Sequence, residues 1–390
     1  LKPHEIYLGV LGLVLLLEAT RRVLGLPIVV IAIAFLGVAI FGNYMPGFLR
    51  SNLSFRRIIE HLFYDYEGVF GPAIGACANF IFLFMLFGAF LERTGVGEFF
   101  IDLSNAIAGH KRGGPAKVAV ITSALEGTVS GSSVANTVGS GSFTIPMMKS
   151  LGYRPEFAAA VEAAASTGGQ IMPPVMGAAA FLMVDAVGVS YATIVKAAII
   201  PALLYFAGIY IIIDIESKKR GLVGMDKDKL PRLARIMADR GYLLLPLLAI
   251  IYVLTGTSLT TAYAALIGML VAVMGGYIKT IFDAVMAATR GNSVKEVVRT
   301  SEMMRLTDHW KALEAGARNV LAVALACATS GVVSGVITLT GIGARIGGGL
   351  TALAGDHLLL LLFFTMIASI VLGMGVPTTA NYLITSSVMA

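Results

Sequence analysis

Residues 117–149 read KVAVITSALEGTVSGSSVANTVGSGSFTIPMMK, and how this stretch meets a membrane decides the fold. It is apolar at both ends and rich in Ser and Gly at its centre. Lys111, Arg112 and Lys117 stand at its start, and Lys149 and Arg154 at its end. Lys and Arg mark the cytoplasmic side of a membrane protein. A segment that begins and ends on one side cannot be a single spanning helix. Folded at its centre it makes a re-entrant helical hairpin, with Ser130–Thr137 at a tip near mid-membrane. Irregular backbone at that depth is tolerated only where it is buried in protein or lines a cavity, so the pattern predicts a site.

The rest of the chain supports a membrane setting. Of 390 residues, 57% are hydrophobic and 13% charged, and the mean hydropathy is +0.84. Soluble domains are about 45–50% apolar and about 25% charged. A water-soluble enzyme, a disordered chain and a disulfide-stapled domain are thereby excluded. The 44 glycines suit helices whose backbones approach closely. The net charge of +6 fits cytoplasmic loops and does not point to nucleic acid. Cys77 and Cys327 sit in apolar runs and read as inert core thiols. Clear spans are expected near 5–20, 26–42, 68–91, 191–214, 241–255, 260–278 and 318–338. The basic loops 216–240 and 279–318 fall inside, and the uncharged turn 256–260 falls outside. Residues 43–67, with three arginines and three acids, read as a surface-lying amphipathic stretch. The chain starts at Leu and stops inside an apolar run, so both ends read as cut.

An internal repeat runs through the sequence. Thr94-Gly95-Val96-Gly97 recurs as Thr340-Gly341-Ile342-Gly343, and Ala108-Gly109-His110 as Ala354-Gly355-Asp356. Ala135-Asn136 recurs as Ala380-Asn381. Each copy is a span, a Thr-Gly-x-Gly turn, a half-polar helix and a hairpin with a broken tip. The span 68–91 runs outside to inside and 318–338 runs inside to outside, so the copies are inverted. Inverted repeats with broken helices at the midplane are the architecture of secondary transporters. The expected organisation is 1–67 as scaffold, 68–188 as the first repeat and 191–278 as scaffold or connecting helices. The first repeat holds hairpin 117–149 and broken helix 155–188. Residues 318–390 form the second, inverted repeat, truncated in its hairpin. The expected fold class is an all-α polytopic membrane protein with inverted repeats and re-entrant helical hairpins.

The tips carry short oxygen ligands and no carboxylate cluster. The first offers Ser130, Ser132, Ser133, Asn136 and Thr137, and the second runs from Gly373 to Asn381. A broken helix frees carbonyls on one half and N–H groups on the other. Carbonyls and hydroxyls suit a hard cation such as Na⁺. Half-helix N-termini suit a carboxylate. A third break, Ser166-Thr167-Gly168-Gly169-Gln170-Ile171-Met172-Pro173-Pro174, pairs glycines with prolines inside a span. Glu126 and Glu162 precede breaks and are candidates for a structural hydrogen bond or for proton coupling, while Asp185 and Lys196 read as interfacial. No GxxxxGK[ST] occurs, the five histidines lack metal-ligand spacing, and no Ser-His-Asp set can be assembled. Nucleotide hydrolysis, a bound metal beyond Na⁺ and enzymatic chemistry are therefore not expected.

The run SGSSVANTVGSGSFTIPMMKSLGYRPEFAAAVEAAASTGGQIMPPVMGAAAFLM at 130–183 closely resembles the large membrane subunit of the tripartite ATP-independent periplasmic (TRAP) transporters. GVITLTGIG at 335–343 and LGMGVPTTANY at 372–382 resemble the TAXI branch, in which small and large subunits are fused. LEATRRVLG at 17–25 is similar to the connecting region of that fusion. The resemblance implies uptake of an organic acid, driven by Na⁺ or H⁺, by an elevator mechanism in a bacterial or archaeal cytoplasmic membrane. It implies a periplasmic substrate-binding protein as partner, with neither ATP nor another cofactor. Carried over, the ion-binding positions are Ser130, Gly131, Ser132, Ser133, Asn136, Thr167, Gly168, Gly373, Gly375, Thr378, Thr379 and Asn381. The substrate positions are Ser133, Thr137, Gly169, Gln170, Pro377 and Thr378. The alternatives are a channel, which needs a continuous pore, and a membrane enzyme, which needs a catalytic set.

Overall fold

The computed structural model describes residues 1–47, 50–226, 228, 230–289, 304–355 and 357–389. Asp356 of the repeat, Ala390, Lys227 and Lys229 of one basic loop and 290–303 of the other lie outside the described residues. The described residues form helices, turns and no strand. In chain order the helices are α1 (Pro3–Leu24), α2 (Leu26–Ile40), α3 (Phe55–Ile59), α4 (Pro72–Glu92) and α5 (Val96–Ala108). There follow α6 (Gly114–Ser130), α7 (Ser133–Ser150), α8 (Pro155–Gly168), α9 (Ala178–Val187), α10 (Tyr191–Lys219) and α11 (Leu233–Gly256). The last are α12 (Thr261–Thr289), α13 (Leu306–Thr340), α14 (Ile342–Ala354), α15 (Leu358–Leu372) and α16 (Thr378–Met389). Of these, α4, α10, α11, α12 and α13 are long and apolar enough to cross a membrane. The chain divides into two compact units, one of residues 1–81, 181–188 and 318–390 and one of 82–180 and 189–317.

The first unit is organised on α13. Ala328, Val332 and Val336 pack with Leu13, Ala39, Ile58, Ile59, Leu62 and Val69. Val333 and Ile337 pack with Ala32 and Ile384, and Ala326 with Ile28, Val29 and Ala380. A helix that is apolar on several faces is a buried one. The hydroxyls of Thr20 and Thr329 meet in this core at 2.7 Å. Cys77 and Cys327, distant in sequence, are neighbours here, and both are buried. Ser54 caps α3, accepting from Arg57 N, and Ile58, Ile59 and Leu62 turn inward while Arg56 and Arg57 stay exposed. That is the amphipathic pattern read from 43–67.

The second unit contains the hairpin. Pro115 opens α6, where its missing N–H costs nothing, behind the left-handed Gly113. Gly131, at φ +57°, ends α6, and the Ser132 hydroxyl accepts from Ala135 N to start α7. The break is therefore two residues wide, and Ser133, Asn136 and Thr137 lie in the first turn of α7 rather than in an open loop. Ala116, Ala119 and Val120 of α6, Met148 of α7, Val161 and Ala165 of α8, and Phe206 and Ile213 of α10 make one core. The third break also shifts. Residues 166–168 finish α8, Gly169–Ile171 form a 3₁₀ turn, and helix resumes only at Ala178. Proline lacks an N–H and stops a helix, whereas the paired glycines keep helical angles, so Pro173 and Pro174 decide the break. Helix α10 is pinned along its length. Tyr191 Oη donates to Val175 O (2.6 Å) and Tyr205 Oη to Ala164 O (2.8 Å), while Ser217 Oγ meets Tyr153 Oη (2.6 Å). Asp214 takes Lys117 Nζ at 2.5 Å and Arg112 at 2.6 Å.

The repeat reappears as matching elements. Helices α5 and α14 each have 13 residues and each follows a left-handed glycine, Gly95 at φ +81° and Gly341 at φ +66°. Each is followed by two helices that flank a break, α6 and α7 in one copy and α15 and α16 in the other. Lys117 is buried in its ion pair, so the exposed Lys111 and Lys149 report the two ends of the first hairpin. Cysteines placed at 111 and 149 are expected to react with an impermeant thiol reagent only from the cytoplasmic side. Reaction of either from the other side would make the hairpin an ordinary span.

Candidate functional site

Two broken segments of the second unit close on each other at the hairpin tip. A Cβ on Gly127 would lie 2.3 Å from Gly169 Cα, so only glycine allows α6 to come this near the 3₁₀ turn. A Cβ on Gly131 would lie 1.9 Å from Met176 O, so the tip sits on the backbone after the prolines. Four sequence candidates meet here. Gln170 Nε2 donates to Ser133 Oγ at 3.1 Å, and Asn136 Nδ2 stands against Gly169 while donating to Ser123 O at 2.8 Å. Ser132 caps α7 and Ser130 Oγ accepts from Ser132 N at 3.4 Å. Thr137 Oγ1 returns to Ser133 O at 2.8 Å on the same face. Thr167 is exposed and bonds to Ala163 O of its own helix, and Gly168 packs on the rings of Tyr205 and Phe206. At the tip the carbonyl end of α6 faces the amide end of α7. The first suits a cation and the second an anion.

Beneath the tip lies a group of hydroxyls that the sequence reading passed over. Asn136 Oδ1 is 3.2 Å from Ser140 Oγ, and Ser140 Oγ is 2.6 Å from Glu162 Oε1. Ser123 and Ser166 approach the same carboxylate oxygen at 3.4 and 3.3 Å, and Thr144 donates to the other. The signal was present as spacing: Asn136, Ser140 and Thr144 are four apart, as are Glu162 and Ser166, so each set lines one helix face. A cavity of about 540 Å³ opens beside the tip, lined by Glu92, Glu98, Glu126, Ser130, Asn136 and Gly139 among others. Glu126 was a sequence candidate, whereas Glu92 and Glu98 were not. Asp185 is exposed.

The second-repeat candidates lie in the first unit. Gly375 takes φ +76° between α15 and α16, and Pro377 O accepts from Asn381 N (2.9 Å). A Cβ on Gly373 would lie 2.6 Å from Asn381 Nδ2, so the amide rests on that glycine. Thr385 Oγ1 donates to Asn381 Oδ1 at 3.1 Å. That contact repeats Ser140 on Asn136, with the same spacing of four. Thr378 and Asn381 line a cavity of about 390 Å³ with Thr365, Ser369 and Tyr382, and Thr379 is buried.

Comparison with known proteins adds to this geometry. Residues 11–390 match the family described as "Tripartite ATP-independent periplasmic transporter, DctM component". The match takes in 17–25, the stretch read as a fusion connector. An uncharacterized protein, y4mL, of Sinorhizobium fredii is 31% identical over 185 residues, 47% of this chain and 44% of that protein. The C4-dicarboxylate TRAP transporter large permease protein DctM of Pseudomonas aeruginosa is 33% identical over 144 residues, 37% of this chain and 33% of the relative. The sialic acid TRAP transporter large permease protein SiaM of Vibrio cholerae is 27% identical over 158 residues, 40% of this chain and 36% of the relative. The matched region spans less than half the length of each of these relatives.

The contact of Gly127 with Gly169 makes a direct prediction. Gly127→Val overpacks it and should destabilise the protein by about 1–3 kcal/mol, read as a lower thermal midpoint in detergent. Gly208→Ala, in α10 with nothing within 4 Å of the added methyl, should be neutral or slightly stabilising. Equal midpoints for the two variants would show that the backbones do not meet there.

Proposed function

The chain belongs to the DctM component family of tripartite ATP-independent periplasmic transporters, a family of multi-pass membrane permeases and not of enzymes, and from that premise we propose that it imports an organic acid by cation-coupled symport. The observation that carries this reading is the tip itself. Ser133 and Asn136 from the hairpin meet Gly169 and Gln170 from the broken segment, and all are uncharged oxygen or amide groups. Such a set suits Na⁺ at the carbonyl end and a carboxylate at the amide end. Two of the relatives are named for C4-dicarboxylate and for sialic acid, both carboxylic acids. A periplasmic substrate-binding protein would deliver the acid, and the cation gradient would supply the energy without ATP. LGMGVPTTANY at 372–382 supports the TAXI branch. If Ser133 and Asn136 hold Na⁺, Asn136→Ala should raise the Na⁺ concentration for half-maximal uptake about tenfold in proteoliposomes supplied with the binding protein. An unchanged Na⁺ dependence in both Asn136→Ala and Ser133→Ala would remove the ion assignment.

The transport step is an elevator movement in this reading. A tip seated on protein backbone leaves no open path, so the site travels with its hairpin. The tyrosine contacts and the Asp214 ion pairs of α10 support counting that helix with the moving hairpin, which leaves 241–278 as the static partner in this unit. A reversible crosslink between the hairpin and 241–278 should therefore abolish uptake, and reduction should restore it. Transport at the normal rate by crosslinked protein would replace the elevator with a local gate.

A further inference from the structure

Glu162 is the most deeply buried acid among the described residues, at 0% exposure. Four hydroxyls reach it, and no lysine or arginine pairs with it among the described residues. Lys117, the buried base of the same unit, is held by Asp214. A carboxylate taken out of water without a positive partner is strongly unfavourable, so buried charges are found paired or bound to cations.

The hydrogen bonds say where the missing charge belongs. Ser140 has one hydroxyl hydrogen, and its Oγ lies 2.6 Å from Glu162 Oε1, 2.8 Å from Asn136 O and 3.2 Å from Asn136 Oδ1. The shortest contact, to a carboxylate, is the strongest. The hydrogen goes to Glu162, and Asn136 Oδ1 keeps its lone pairs. The Asn136 amide cannot turn away, because Nδ2 is committed to Ser123 O. Asn136 Oδ1, with only the longest of the three Ser140 contacts, thereby keeps lone pairs available one hydroxyl away from a buried acid.

We propose that Glu162 is the counter-charge of the transported cation: it does not touch the ion, but its charge holds the ion electrostatically and, through Ser140, keeps Asn136 Oδ1 free to ligate it. The proposal rests on Asn136 being an ion ligand. The other charged groups on the surrounding elements are also acids. Glu126 on α6 also approaches Ser140, and Glu92 on α4 and Glu98 on α5 line the cavity beside it. Glu92 and Glu98 are exposed and Glu126 is half-buried at the cavity wall, whereas Glu162 alone is fully enclosed. The interaction at Glu162 is therefore the one that low dielectric strengthens.

The test uses the full chain in detergent, with Na⁺ alone as probe and the Na⁺ concentration for half-maximal thermal stabilisation as readout. Glu162→Gln keeps the size and one acceptor oxygen, turns the other oxygen into an amide donor toward hydroxyls that can accept, and removes the charge. It should raise that concentration about tenfold or more while leaving the midpoint in Na⁺-free buffer equal or higher, since an unpaired buried charge is gone. Glu162→Asp retains the charge and should keep the Na⁺ response within about threefold of the parent. A Glu162→Gln variant that responds to Na⁺ as the parent does, while Asn136→Ala is shifted, would overturn the counter-charge alone, since the group would then be a neutral carboxyl. No shift in either Glu162→Gln or Asn136→Ala protein would overturn the ion-site reading beneath it. Should Glu162→Gln not fold, a Glu162→Asp variant that folds but has lost the Na⁺ response overturns the proposal.

Discussion

Backbone broken inside a bilayer must find its hydrogen-bond partners in protein, because lipid offers none. The meeting of Gly127 with Gly169 is what makes that possible here. With no side chain on either, the two interrupted segments pack backbone to backbone. The contact brings the Asn136 amide onto the 3₁₀ turn and Gln170 onto Ser133. The neighbouring contact of Gly131 with Met176 O closes the tip from the other side. The remaining architecture holds these two backbones in place: the α6–α8 core, the capping by Ser132 and the tyrosine contacts from α10.

The groups that meet at the tip itself are neutral, and the carboxyl group they reach through Ser140 is enclosed. Hydroxyls and amides at the tip are paired with one another or with backbone, so each can be released without stranding a charge. The enclosed carboxylate sits one layer deeper, under serines and a threonine. The Asn–hydroxyl contact recurs in the first unit, where Thr385 stands to Asn381 as Ser140 stands to Asn136.

Much of the fold was legible because it is written in residues with few conformational choices. Basic flanks bracketed the hairpin, Gly131 and Ser132 marked its turn, and Thr-Gly-x-Gly marked the start of each half-polar helix. Boundaries shifted where two signals competed. At 166–174 glycines and prolines both read as breakers, and only the prolines acted, since glycine can remain helical when packing favours it. What the sequence could not show is which residues meet across segments. Ser140, Thr144 and Ser166 look like ordinary small packing residues until α7 and α8 are placed side by side. In the same way Lys117 reads as a cytoplasmic flank and turns out to be a buried partner of Asp214.

The thiol pair in the first unit has a practical consequence. Cys77 and Cys327 are buried neighbours, 250 positions apart in sequence. Alkylating reagents act on the thiolate, which needs water around it to form and a path for the reagent to arrive. Neither condition is met at this place. The two natural thiols are therefore expected to stay unlabelled in the folded protein, so that a cysteine introduced at an exposed position can be read without removing them.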